Sequence, residues 1–130
     1  MSTDVPQIYL DHLAAVTGPE PARVRDHWEP DGVLEFPYAT SIFGKALRLE
    51  GADAIVDYFD GLGRFDGWAF RDLRAWKVEG APEYVLEMHG SSVVIATGLP
   101  YEQDYVVRFG VAESGRLAWM REFWDPTRLG

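Results

Sequence analysis

The side chains of this sequence best suited to moving a proton are Glu122, Glu87, His89, Tyr101 and Tyr9. In the run Met120-Arg121-Glu122-Phe123-Trp124, the two-residue period of a strand puts Met120, Glu122 and Trp124 on one face and Arg121 and Phe123 on the other. A carboxylate among apolar groups has its pKa pushed up toward neutrality, which suits a general acid/base at cellular pH. Glu122 is therefore the first candidate for catalysis, with a salt bridge or a solvated face as the plainer alternative. Glu87 and His89 stand two apart on a strand and so point to one side. A carboxylate orienting an imidazole, or a relay that includes Glu122, would shuttle protons; a cross-strand polar pair on an exposed face is the alternative. Tyr9 and Tyr101 are candidate hydroxyl donors, because a buried phenol needs a partner and can hold a developing enolate oxygen. Packing with a hydroxyl that reaches the surface is the other use of each.

A binding pocket would draw its walls from Tyr9, Phe36, Tyr38, Phe59, Trp68, Trp76, Tyr105 and Trp124, with His27 able to reach it from a second helix. Flat apolar walls favour an aromatic or polycyclic ligand. Core and dimer-interface packing would claim some of the same residues, and a lone histidine on an apolar helix face is ordinarily a packing residue.

Composition removes several other chemistries. There is no cysteine, hence no disulfide framework, thiolate zinc site or cysteine nucleophile. His12, His27 and His89 lack the spacing of a zinc-binding helix, and no carboxylate run has calcium-loop spacing. No glycine-rich phosphate loop or dinucleotide fingerprint is present, so no metal or cofactor is expected. A net charge of −9 with singly scattered basic residues argues against nucleic acid. No run approaches the roughly 20 apolar residues of a membrane span, and the N-terminal residues carry no signal-peptide pattern. A soluble cytoplasmic protein acting on a small molecule, with no membrane partner, is the expectation.

The elements that must position these residues follow from periodicity. Val5, Ile8, Tyr9, His12, Leu13 and Val16 recur at helical spacing up to Gly18-Pro19. Pro21 opens a short second helix carrying Val24, His27 and Trp28, closed by a turn at Glu29-Pro30-Asp31-Gly32. Val33 to Phe36 reads as a strand cut off by Pro37, and Tyr38 to Arg48 as a loop. Leu49 to Leu62 reads as a third helix with Ala52, Ile55, Val56, Phe59 and Leu62 on one face and Gly61 and Gly63 as stop signals. From Trp68 the period becomes two: strands are expected over Trp68–Val78, Tyr84–Ile95, Tyr101–Val111 and Leu117–Trp124, joined by turns. In the first of these strands Trp68, Phe70, Asp72, Arg74, Trp76 and Val78 share a face. The whole chain, 1–130, is expected to be one α+β domain, with three N-terminal helices packed on a curved antiparallel sheet around a central pocket.

The residues Trp28 to Pro37, Glu50-Gly51, the Tyr101/Tyr105 strand and the closing Arg121-Glu122-Phe123-Trp124-Asp125-Pro126 resemble the nuclear transport factor 2-like, or SnoaL-like, superfamily. The Arg-Glu-aromatic-x-x-Pro ending is most similar to phenazine-biosynthesis A/B proteins and SnoaL-like polyketide cyclases. The resemblance implies a cone-shaped, usually dimeric fold whose members include isomerases, cyclases, epoxide hydrolases, dehydratases and non-catalytic binding modules. It implies an acid/base carboxylate at Glu122 and an oxyanion tyrosine at Tyr9. The base that the superfamily's ketosteroid isomerases hold before the first-strand proline is here Phe36, and Glu87-His89 replaces the arginine and aspartate of its epoxide hydrolases. The combined reading is a cofactor-independent isomerase or cyclase acting on a carbonyl-containing natural-product intermediate, with a hydrolase, a dehydratase or a binding module as the alternatives.

Overall fold

The computed structural model describes residues 5–40, 46–62 and 65–129. Helix α1, Gln7–Thr17, starts directly after Pro6 and ends at Gly18, and its buried residues Tyr9, His12 and Val16 form the stripe that faces the sheet. A 3₁₀ helix, Pro21–His27, buries only Val24. Helix α2, Ala52–Asp60, follows Gly51, whose φ of 90° favours glycine, and buries Ala52, Ile55, Val56 and Phe59.

The strands are β1 (Trp28–Phe36), β2 (Leu47–Glu50), β3 (Phe65–Lys77), β4 (Glu83–Val94), β5 (Pro100–Val111) and β6 (Leu117–Phe123), and a 3₁₀ turn, Pro126–Leu129, ends the chain. They form one six-stranded sheet in the order β2-β1-β6-β5-β4-β3. The α+β class and the helix-covered sheet match the expectation from sequence, with one correction: the sheet is mixed, because β1 runs parallel to β6. Further corrections concern the first half of the chain. The expected turn at Glu29–Gly32 lies within β1, where the ladder to β6 skips from Trp28 to Val33. Pro30 has no N–H to donate, and the irregularity absorbs that loss. Leu47–Glu50, expected as the end of a loop and the start of a helix, is a short strand paired with β1. The remainder of the expected Tyr38–Arg48 loop, at 41–45, and the stop signal Gly63 lie outside the described residues.

Residue parity along β4 and β5 divides inside from outside. Leu86, Met88 and Ser92 are buried, as are Tyr101, Gln103, Tyr105, Val107 and Phe109, while Glu102, Asp104, Val106 and Arg108 between them are exposed. The third strand breaks the pattern expected from its sequence. Its register to β4 shifts between Arg71 and Arg74, and Asp72 there has a φ of 58°. This bulge inserts a residue and reverses the phase downstream. Trp68 and Phe70 therefore face inward, but so does Ala75, fully buried opposite the buried Leu86. Trp76 is thereby placed on the outer face with Arg74 over its ring.

Holding an aspartate in the left-handed region costs little because its short polar side chain tolerates that geometry, whereas a β-branched residue does not. Asp72→Val is expected to lower stability by about 1–2 kcal/mol and Asp72→Gly to leave it equal or higher. Denaturant unfolding of both variants checks this.

Candidate functional site

Between α1, α2 and the inner face of the sheet lies a cavity of about 70 Å³, measured over the positions a water centre can occupy. Tyr9, His12, Leu13 and Val16 line it from α1, and Tyr58, Phe59 and Leu62 from α2 and the residues after it. Phe65, Trp68 and Phe70 of β3, Met88 of β4, Tyr101 and Tyr105 of β5, and Glu122 and Trp124 at the end of β6 complete the wall. Gly90 helps keep it open: a Cβ there would come within 2.8 Å of both Phe70 and Tyr105.

Glu122 is the acidic residue of this wall, and no lysine or arginine lines it among the described residues. Opposite Val107 in the β5–β6 ladder it must face inward, since Val107 is fully buried. Burial pushes its carboxyl up to about 7, because ionising there leaves a charge without water around it. The same burial, reinforced by the charge of Glu122, raises Tyr9 and Tyr105 above the ordinary phenol range, so both stay protonated donors. Among the described residues Tyr9 donates to the Met88 sulfur, at 3.8 Å, a weak acceptor that a ligand oxygen would displace readily. The Tyr101 hydroxyl accepts from Gln103 Nε2 at 2.9 Å, and the same amide donates to the Asp125 carbonyl at 2.8 Å. Gln103, fully buried, thus ties the residue that follows Trp124 to β5. Trp68 Nε1 is buried without an acceptor among the described residues.

Of the residues singled out in the sequence, Glu122, Tyr9, Tyr101, Phe59, Trp68, Tyr105 and Trp124 meet on this cavity. Glu87 and His89 do not. Both lie on the outer face of β4, opposite in parity to Leu86 and Met88. Glu87 pairs with Arg74 at 3.0 Å. His89 is clamped by Asp104 at Nδ1, 2.8 Å, and by Glu102 at Nε2, 3.1 Å. Those bonds raise the imidazole pKa, the bond to Asp104 most and that to Glu102 next. A relay from Glu87 through His89 to Glu122 is not assembled, because the backbone of the sheet lies between them.

Phe36 is buried behind the wall against Tyr58 and Trp124. Tyr38 is 60% exposed beside Phe123. Trp76 is outside, and His27 lies near His12 but off the cavity. The residue that sequence reasoning passed over is His12. It was legible as part of the α1 stripe, one turn from Tyr9, but its chemistry depends on burial by other elements.

The fold and the inward-facing carboxylate define the class: a helix-covered curved sheet of nuclear transport factor 2-like type enclosing one acidic cavity. The SnoaL-like domain profile matches residues 9–120, and the chain belongs to that family. Among its relatives, YesE of Bacillus subtilis (strain 168) is 32% identical over 100 residues, 76% of this chain and 66% of YesE. The PhzA/B-like protein PA3332 of Pseudomonas aeruginosa is 30% identical over 103 residues, 79% of this chain and 71% of that protein. The chain thus spans about two thirds of the length of these relatives. A Bacillus subtilis protein of known structure superposes with a TM-score of 0.84 at 26% identity, over 94% of this chain and 86% of its own. A phenazine biosynthesis-related protein from Pseudomonas aeruginosa does so at 0.74 and 16% identity, over 95% and 83%, and shows the shared fold.

Glu122 and His12 couple stability to pH with opposite signs. The folded carboxyl of Glu122 keeps its proton up to about 7 against an ordinary 4.5, so across that window the folded chain holds a proton the unfolded chain has lost. The stability from Glu122 is complete below the ordinary value and falls as pH rises through the window. His12, lowered to about 3, loses stability as pH falls below its ordinary 6.5. Glu122→Gln should therefore gain on the native chain by roughly 2 kcal/mol between about pH 5 and about pH 8. Paired denaturant titrations at the two pH values measure the gain.

Proposed function

We propose that this chain is a cofactor-independent isomerase or cyclase that works by general acid/base catalysis on a carbonyl-containing small molecule. The observation that carries the reading is Glu122, a carboxyl without an ion-pair partner among the described residues, with a pKa pushed up to about 7 on an aromatic cavity wall. Such a group is about half ionised near neutral pH and can both accept and return a proton. Ionised Glu122 takes the proton from carbon next to the carbonyl, and the C–H electron pair becomes the enolate double bond. The carbonyl π pair moves onto oxygen, where the Tyr9 hydroxyl donates to it. Where the substrate carries a β,γ double bond the enolate is a dienolate, and protonated Glu122 delivers the proton to its γ-carbon. The β,γ π pair forms the new C–H bond, the double bond moves to α,β and the carbonyl re-forms, giving the isomer. Otherwise the enolate carbon attacks a second carbonyl and Glu122 protonates the resulting alkoxide, giving a ring. Either route restores the carboxylate. Tyr105 and Tyr101 complete the donor-rich side of the cavity, and Phe59, Trp68 and Trp124 hold the substrate flat against it.

A role in natural-product chemistry is supported by the PhzA/B-like relative and by a polyketide cyclase and an epoxide hydrolase/cyclase-like enzyme among the fold neighbours. The same carboxylate activating water would make a hydrolase. Oxygen from labelled water appearing in the product separates that reaction from isomerisation.

In deuterated water, the chain is expected to exchange the α-protons of the ketone 2-tetralone, with the rate rising with pH through about 7 as Glu122 ionises. Glu122→Gln should slow exchange by about 10²–10⁴-fold while retaining the ketone. An unchanged exchange rate, read by proton NMR, would overturn the assignment.

A further inference from the structure

The cavity contains a second buried ionisable group that the proton transfer above does not use. His12 is 2% exposed and lies on the cavity wall between Tyr9, Phe59 and Trp28. Its Nδ1 accepts the indole N–H of Trp28 at 3.2 Å. An indole nitrogen is a donor only, so Nδ1 must present a lone pair and the ring proton must sit on Nε2. Trp28 is fixed in turn, being 1% exposed at the start of β1 and paired there with Leu117 of β6. The imidazole remains neutral through the physiological range: burial is the main cause, with the neighbouring His27 second. What is left for a ligand is one N–H, held in a fixed tautomer, with no acceptor of its own among the described residues.

The surroundings select what that N–H can meet. A ligand carboxylate or phosphate would sit in the same cavity as Glu122 and would meet no lysine or arginine among the described residues of the wall. Desolvating an anion without a counter-charge costs several kcal/mol. A neutral ligand pays no such penalty and can offer a carbonyl or ether oxygen to Nε2–H.

We propose that His12 is a ligand-recognition residue, its Nε2–H fixed by the Trp28–Nδ1 bond, and that the site takes neutral, acceptor-bearing aromatic or alicyclic molecules while rejecting their carboxylate counterparts. The inference rests on the cavity being the binding site but not on Glu122 moving a proton, so it is tested by binding alone. Acetophenone and benzoate, nearly equal in shape and different in charge, are the probes.

On the native chain at about pH 8, NMR of ¹⁵N-labelled imidazole should show His12 with its proton on Nε2, unchanged down to about pH 5. Acetophenone should bind at least tenfold more tightly than benzoate and shift the His12 Nε2–H signal. His12→Phe should weaken acetophenone fivefold or more, and His12→Gln, which keeps an N–H, should restore part of that loss. Trp28→Phe should release the lock and give a mixture of tautomers. A His12 proton on Nδ1, benzoate binding as tightly as acetophenone, acetophenone bound without moving the His12 signal, or no binding of acetophenone at millimolar concentration would each overturn the proposal. Because these readouts need no turnover, an inactive Glu122 would leave them standing.

Discussion

Pleating sends successive residues of a strand to opposite faces, and almost everything about this site depends on that rule holding across β4, β5 and β6. It sends Met88, Tyr101, Tyr105 and Glu122 into the cavity and Glu87, His89, Glu102 and Asp104 to the other side. Side chains on adjacent residues, Met88 and His89 for example, therefore belong to unrelated environments. The outer carboxylates and histidine neutralise one another in water-exposed pairs that contribute little to stability. The inner carboxyl has no such partner among the described residues. Where β3 bulges at Asp72 the rule changes phase, so that Trp68 and Phe70 before the bulge stay in the cavity while Trp76 beyond it is turned out.

The consequence for chemistry is a cavity whose described lining residues include no lysine or arginine to set against a ligand. Glu122 and His12 both avoid ionising, the acid by holding its proton and the base by refusing one. Tyr9 and Tyr105 do the same at higher pH. Each shift has burial as its largest cause, so all four follow from the packing of α1 and α2 on the sheet rather than from a designed ion pair. Glu122 is the one whose displaced pKa falls at cellular pH, which is why the proposed proton transfer is assigned to it rather than to the other three. In so apolar a setting a hydrogen bond from Tyr9 or His12 to a developing charge is worth more than at the surface.

The sequence carried these features unevenly. The apolar stripes of α1 and α2 and the alternation of β4 and β5 are periodic over enough residues to be read directly. β2 has four residues and no turn signal of its own, and Pro30 with Gly32 disguises the first half of β1 as a turn. The parallel pairing of β1 with β6 joins segments far apart in the chain, so no local pattern announces it. Parity put Glu122 beside Met120 and Trp124 correctly. For Glu87 and His89 it gave only that they share a side; choosing the side required noticing that Leu86, Met88 and the small Gly90 form the apolar alternative. Trp76 was misplaced because a bulge depends on backbone geometry at Asp72 that its side-chain type does not declare. His12 was visible as a position but not as chemistry, since its tautomer is set by Trp28 from another element.

The most direct test of the account is the titration of the Glu122 side chain itself, followed through its ¹³C carboxyl resonance in the native chain and assigned with Glu122→Gln. A midpoint of about 7 is the value expected for an unpaired carboxyl in this cavity. A midpoint near the ordinary value of 4.5 would mean that water or a counter-charge reaches the group, contradicting both its burial in the cavity wall and the proposed proton-transfer role.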